Sequence, residues 1–111
     1  MNGPEIYNFT LHVVPPAVAG ALEKSGLVLG DIDYFVFHQA NAFMLEALRR
    51  KMNLPRGKFV IELAETGNLV SASIPVVLAG MRADGRIKPG VRTLLCGFGV
   101  GLSWAACVVE W

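Results

Sequence analysis

Phe35-Val36-Phe37-His38-Gln39-Ala40-Asn41 decides the fold. Large apolar residues run without alternation and stop at an imidazole followed by two carboxamides. Strands buried on both faces read as continuous apolar runs, which is the habit of parallel sheets covered by helices. Residues 34–38 are therefore expected to form a buried strand that delivers polar side chains to the edge of a core. Downstream, 41–52 has helical spacing, with Leu45, Leu48 and Met52 inward and Glu46 four residues before Arg50, a favourable pair. Asn53-Leu54-Pro55-Arg56-Gly57 stops it. A second strand is expected over 58–63, then the loop Ala64-Glu65-Thr66-Gly67-Asn68, then a helix over 71–83 whose buried stripe is Ile74, Val77, Leu78 and Met81. Residues 92–98 and 103–111 read as strands, and the short link Gly99-Val100-Gly101-Leu102 makes them antiparallel. Upstream, apolar spacing predicts helices over 5–14 and 16–25, separated at Pro15-Pro16 because proline lacks an N–H and clashes with the preceding turn. Gly26 suits a left-handed helix cap.

The order helix, β, α, β, α, β, β predicts an α/β fold: a mostly parallel sheet with an antiparallel edge strand and helices on both faces. The order opens on helix, so the first strand of such a unit is expected to lie before Met1. The chain has 111 residues, room for one domain. It is 53% hydrophobic and 17% charged, against about 45–50% and about 25% in ordinary soluble domains. So apolar a surface in so small a chain implies packing against something else. No apolar run reaches the roughly 18–20 residues of a membrane span, and no basic-then-apolar leader opens the chain. The net charge of +1 gives no general attraction for nucleic acid or acidic membranes. Cys96 and Cys107 sit in strand-like runs and read as small core residues of a reducing, cytoplasmic compartment. No His, Cys and carboxylate cluster has metal-ligand spacing, so no metal is expected.

Function is sought at the strand ends, because α/β sheets gather polar groups at the carboxyl ends of parallel strands. His38 and Asn68 both stand at such ends. Two neutral donors aimed at one oxygen form an oxyanion hole, each donor typically worth ~2.7–4 kcal/mol in the transition state. The backbone N–H groups of Gly99, Val100 and Gly101 offer a second set. Each residue also has a structural reading. A histidine at a strand end is often a satisfied structural group, Asn68 after Gly67 suits a turn, Gly99-Val100-Gly101 suits a hairpin, and Arg49-Arg50-Lys51 suits a solvated helix face. Ser71 and Ser73 lack the Gly-x-Ser-x-Gly elbow of serine hydrolases.

Taken together, His38-Gln39-Ala40-Asn41, Gly67-Asn68 with Ser71-Ala72-Ser73-Ile74-Pro75, and Gly97-Phe98-Gly99-Val100-Gly101-Leu102-Ser103-Trp104 resemble the C-terminal half of β-ketoacyl-acyl carrier protein synthase III, of the thiolase superfamily. The likeness runs from Met1-Asn2-Gly3 to Trp111 and includes the turn Asp84-Gly85-Arg86-Ile87-Lys88-Pro89-Gly90. It implies a thiolase-like half-domain and a decarboxylative Claisen condensation in fatty acid biosynthesis. By resemblance, His38 and Asn68 hold the malonyl thioester enolate, and the backbone of Val100 contributes to the other oxyanion hole.

The same resemblance implies coenzyme A or phosphopantetheine thioesters as substrates, with no other cofactor. It implies acyl carrier protein, acyl-coenzyme A, the enzyme's own N-terminal half and a second copy as partners, with no nucleic acid or membrane. Asn41, Phe43, Arg50 and Lys51 fall at substrate- or carrier-contact positions. The sequence departs from the family in three ways. No cysteine corresponds to the nucleophile, which the family carries at a helix start in its N-terminal half. Leu69 replaces the usual threonine after the asparagine. Phe43 stands where an early arginine is common. Residues 1–111 are thus expected to be a C-terminal condensing-enzyme domain that is inactive alone. Two other readings remain at this point: a non-catalytic half-subunit pairing with a cysteine-bearing chain, and a related acyltransferase of secondary metabolism.

Overall fold

The computed structural model describes residues 3–39, 41–62, 73–99 and 103–111. The apolar run at 34–37 forms β1 (Tyr34–Phe37), and the C-terminal runs form β2 (Arg92–Gly99) and β3 (Ser103–Glu110). β1 pairs in parallel with β2, from Tyr34 opposite Thr93 to Phe37 opposite Cys96. β2 pairs antiparallel with β3, from Arg92 opposite Glu110 to Gly99 opposite Ser103. The helices are α1 (Gly3–Ser25), α2 (Ala42–Lys51) and α3 (Ser73–Ala83). The α/β class, the mixed sheet and its antiparallel edge are as the sequence predicts.

Period-two alternation sorts the strands between two apolar layers. Phe35 and Phe37 of β1 and Leu94, Cys96 and Phe98 of β2 join Val14, Val18 and Leu22 of α1 and Met44, Leu45 and Leu48 of α2. Val36 points the other way, joining Val60, Val77, Met81 and Ile87 beneath α3. Helices therefore cover both faces of β1. This accounts for its unbroken apolar sequence, since each buried Phe or Val is worth about 1.5–3 kcal/mol over an exposed one.

Two expectations are corrected. First, Pro15 and Pro16 do not divide the N-terminal segment; both lie inside the single helix α1. Val14, Val18 and Leu22, spaced four apart, are all buried, so one stripe runs straight across the prolines. Packing of that stripe against the sheet and α2 outweighs the roughly 3 kcal/mol that proline costs in a helix interior. Second, residues 58–62 do not form a regular strand. They meet β1 through one parallel bridge, Phe35 to Phe59. The Phe35 N–H donates to the Lys58 carbonyl at 2.8 Å, and the Val60 N–H to the Phe35 carbonyl at 3.1 Å, and among the described residues the backbone ladder goes no further. Residue 63, the end of the expected strand, lies outside the described residues, as do positions 71 and 72 of the expected helix.

Helix ends follow their local chemistry. Gly26 has φ +69°. Its N–H bonds the Glu23 carbonyl at 3.2 Å, and the Leu27 N–H reaches back to Leu22 at 3.0 Å. Asn53 plays the same part after α2 with φ 55°, where Asn53 N–H meets Arg50 at 3.1 Å and Leu54 N–H meets Arg49 at 3.0 Å. Both are Schellman endings, in which a left-handed residue lets the chain satisfy the last carbonyls.

Candidate functional site

β1 ends where its apolar run ends. The His38 N–H donates to the Cys96 carbonyl at 2.8 Å, which carries the parallel pairing one residue past the strand. The half-buried His38 ring stands edge-on to Phe98, centroids 5.3 Å apart and planes at 87°. With Phe37 opposite Cys96, His38 is level with Gly97, and Gly99 lies two residues further along the neighbouring strand. His38 and Gly99 are therefore at the same carboxyl edge of the sheet. Asn68, Val100 and Gly101 lie outside the described residues.

Gln39 was only a motif letter in the sequence, yet its side chain bonds three backbone groups. It is 0% exposed. Its Nε2 donates to the Phe37 carbonyl at 2.7 Å and the Val60 carbonyl at 3.3 Å. Its Oε1 accepts the Glu62 N–H at 2.9 Å. The signal available in sequence was a long carboxamide directly after a fully buried strand, where water is absent and backbone groups need partners.

Asn41 begins α2. Its backbone is extended (φ -163°, ψ 160°), and its side-chain oxygen accepts the Met44 N–H at 2.7 Å. It is an N-cap, a use that the sequence reading of Asn41 as a contact residue did not include. Phe43, two residues on, is 74% exposed and lies against Tyr7 of α1 with ring centroids 5.6 Å apart. Tyr7, Leu11, Phe43, Glu46, Arg50 and Lys51 line one open groove between α1 and α2. The structure therefore brings three of the four expected contact residues to one surface.

The charges on α2 are partly neutralised. Glu46 faces three guanidinium groups, those of Arg49, Arg50 and Arg56. Hydrogen bonding from Arg49, aided by the positive charge around it, lowers the Glu46 pKa to about 2. The i,i+4 partner read from sequence, Arg50, is present at 3.2 Å, while Arg49 makes the closer contact. Beyond Glu62, the Arg86 guanidinium bridges the carboxylates of Glu62 and Asp84.

Neither cysteine is placed as a nucleophile. Burial, with a smaller contribution from Cys107, raises the Cys96 pKa to about 12, and Cys96 lies mid-strand rather than at a helix N-terminus. Cys107 is exposed, not the core residue its strand-like run suggests, because it lies on the edge strand β3 with its side chain on the face opposite Cys96, and the two thiols are free. Cys96 pairs with Ala106, and Cys107 with Leu95, so the two side chains leave the sheet on opposite faces. Among the described residues no group of three potential ligands could hold a metal, and no helix is long and apolar enough to cross a membrane.

Comparison with known proteins agrees with the motif reading. Residues 22–111 match the family described as 3-oxoacyl-[acyl-carrier-protein] synthase III C terminal. The chain is 43% identical over its full 111 residues to a beta-ketoacyl-[acyl-carrier-protein] synthase III of Deinococcus deserti, covering 32% of that protein. It is 40% identical over 111 residues to that of Acaryochloris marina, covering 33%. In structure it superposes on a crystal structure of 3-oxoacyl-(acyl-carrier-protein) synthase III with a TM-score of 0.96 and 48% identity, covering all of this chain and 33% of that one. The Thermus thermophilus synthase III gives a TM-score of 0.94 at 41% identity, covering 100% of this chain and 35% of that one. The chain thus spans about a third of the length of the relatives it matches.

Proposed function

The chain belongs to the 3-oxoacyl-[acyl-carrier-protein] synthase III C-terminal family, and from that premise we propose that it is the C-terminal domain of a decarboxylative condensing enzyme of fatty acid biosynthesis. Its substrates are an acyl thioester and malonyl-acyl carrier protein. In the first half-reaction an acyl group passes to a cysteine supplied from outside this sequence. In the second, the malonyl carboxylate leaves as carbon dioxide. The electron pair of the broken C–C bond moves into an enolate whose oxygen accepts hydrogen bonds from His38 and Asn68. The enolate carbon then attacks the acyl thioester carbon. A new C–C bond forms, the C–S bond breaks, and the cysteine thiolate departs.

The observation that carries this reading is the position of His38. It follows a fully buried strand at the carboxyl edge of a sheet whose backbone matches synthase III throughout. A neutral imidazole there can donate to an oxygen on which charge develops, the arrangement that lowers a barrier most effectively when its donors are held in advance. Gly99, at the same edge, begins the stretch Gly99-Val100-Gly101 that would serve the acyl-transfer oxyanion. Arg50 and Lys51, beside Phe43 in the groove between α1 and α2, would meet the carrier protein or the coenzyme A thioester, with Asn41 holding the start of their helix. The raised thiol pKa of Cys96 supports a nucleophile from elsewhere and inactivity of residues 1–111 alone. Cytoplasmic location and a homodimeric enzyme complete the proposal.

The test is malonyl-thioester decarboxylation by the assembled enzyme carrying His38→Ala or Asn68→Ala. Each variant should lose about 100-fold or more in decarboxylation, in line with the loss of one oxyanion donor, while still accepting the acyl group. Full decarboxylation by both variants would refute the assignment.

A further inference from the structure

We propose that Gln39 is a positioning residue: its side-chain amide takes the place of a peptide unit between β1 and residues 60–62, spreading two chain ends apart and fixing His38 at the opening. This rests on the function proposed above for His38 and adds a residue to it.

The geometry is that of an interrupted ladder. Parallel strands exchange evenly spaced bonds, every second residue of one chain bonding two residues of the other. Phe35 does this normally, donating to Lys58 at 2.8 Å and accepting from Val60 at 3.1 Å. Two residues on, Phe37 is due to donate to Val60 and accept from Glu62. Instead, the Val60 carbonyl accepts from Gln39 Nε2 at 3.3 Å, and the Glu62 N–H donates to Gln39 Oε1 at 2.9 Å. The second Nε2 hydrogen satisfies the Phe37 carbonyl at 2.7 Å. One carboxamide, with its two donors and its acceptor, covers these three backbone groups.

This arrangement has two consequences. The strand ends separate by the width of an inserted amide, which makes room at the carboxyl edge, in register with His38. It also holds that separation rigidly, because Gln39 is 0% exposed and a buried backbone group left without a partner is costly. His38 is the residue between the strand and this amide, so its backbone is fixed on one side by Cys96 at 2.8 Å and on the other by the side chain that follows it. A glutamine is required for this. Asparagine is a methylene shorter, leucine has no polar atoms, and an ionised glutamate has no donor to offer two carbonyls.

The experiment uses the assembled enzyme, with Gln39→Leu and Gln39→Glu measured beside His38→Ala and Asn68→Ala. In Gln39→Leu, decarboxylation kcat should fall about 10- to 100-fold, the scale of a small misplacement of a reacting group, with acyl transfer to the nucleophile near its original rate. Amide hydrogen exchange at Glu62 should rise at least tenfold, while that at Val60, which donates to backbone, stays unchanged. Gln39→Glu should be impaired at neutral pH and recover relative to the original enzyme as pH falls, because protonation restores one donor. If Gln39→Leu fails to fold, the pH profile and Glu62 exchange of Gln39→Glu decide the matter. Unchanged Glu62 exchange, or equal losses in both half-reactions, overturns the proposal. Normal decarboxylation in His38→Ala and Asn68→Ala would instead remove the function proposed for those residues. The exchange measurement still judges the inserted amide on its own.

Discussion

Replacing Asn41 separates two roles that meet at the start of α2. The side-chain oxygen of Asn41 accepts the Met44 N–H at 2.7 Å, one of the four donors a helix leaves unpaired at its N-terminus. Asn41→Ala removes that acceptor. An N-cap asparagine replaced by alanine costs ~1 kcal/mol, within a range of about 0.5–2, or about a fivefold drop in the ratio of folded to unfolded protein at the central value. Asn41→Asp keeps the acceptor and adds a negative charge where the helix dipole favours one, worth ~0.3–1 kcal/mol at an exposed site. The expected order of stability in urea denaturation is therefore Asn41→Asp at or above the original, and Asn41→Ala below both. The kinetic companion is the KM of the assembled enzyme for its carrier-bound substrate. If Asn41 also touches the substrate, Asn41→Asp raises KM with no loss of stability. If Asn41→Asp is as unstable as Asn41→Ala, or if Asn41→Ala matches the original, the cap does not anchor α2 and the reasoning fails.

Pro16 is exposed inside α1, so Pro16→Ala should restore a helical hydrogen bond and stabilise the protein by about 1–3 kcal/mol; a loss of stability in urea would show that packing depends on the proline. Alkylation followed by peptide mass spectrometry of the folded protein at pH 8 should modify Cys107 and spare Cys96, because burial holds the Cys96 thiol near pKa 12 and out of contact with reagent; equal labelling refutes this. An NMR titration should place Glu46 near pKa 2, below the ordinary glutamate value of 4.5. A folded pKa lowered in this way gives stability that is full above about pH 4.5 and is lost as pH falls toward 2, so Glu46→Gln should flatten that part of the pH–stability curve.

The sequence discloses most of this fold where burial alone decides structure. The uninterrupted Phe35-Val36-Phe37 run marks β1 because helices close both its faces. The stripe Ile74, Val77, Leu78 and Met81 marks α3, and the short link after Phe98 marks the antiparallel edge. It misleads where a tertiary contact overrules a local rule. Pro15-Pro16 is a sound helix breaker by propensity, yet the stripe from Val14 to Leu22 gains more from staying in line. Residues 58–62 have strand composition, but the ladder is taken over by a side chain from elsewhere, which no local pattern encodes. The site is legible in part. His38 stands at the strand end that the apolar run predicts, while Phe43, Arg50 and Lys51 enter the site only through the family resemblance and share one groove. The Asn41 cap is local, reaching only to Met44, and an asparagine just before a helical pattern is its signature; the inserted Gln39 amide instead joins backbone groups at Val60 and Glu62, a pairing that no local pattern encodes.

The order of the strands also bears on how the site is acquired during folding. β2 and β3 are joined by three residues, so their pairing closes a very short loop and belongs to the microsecond class of events. β1 meets β2 only by bringing Tyr34 to Thr93, a closure across 59 residues (93 minus 34), after the bridge from Phe35 to Phe59 has closed one of 24 (59 minus 35). Chain entropy disfavours the longer closures, and contacts distant in sequence slow folding. Of the strand pairings, the one that seats His38 beside Cys96 and Phe98 is then the last to form. Refolding should therefore restore helical and hairpin signals before it restores a competent histidine.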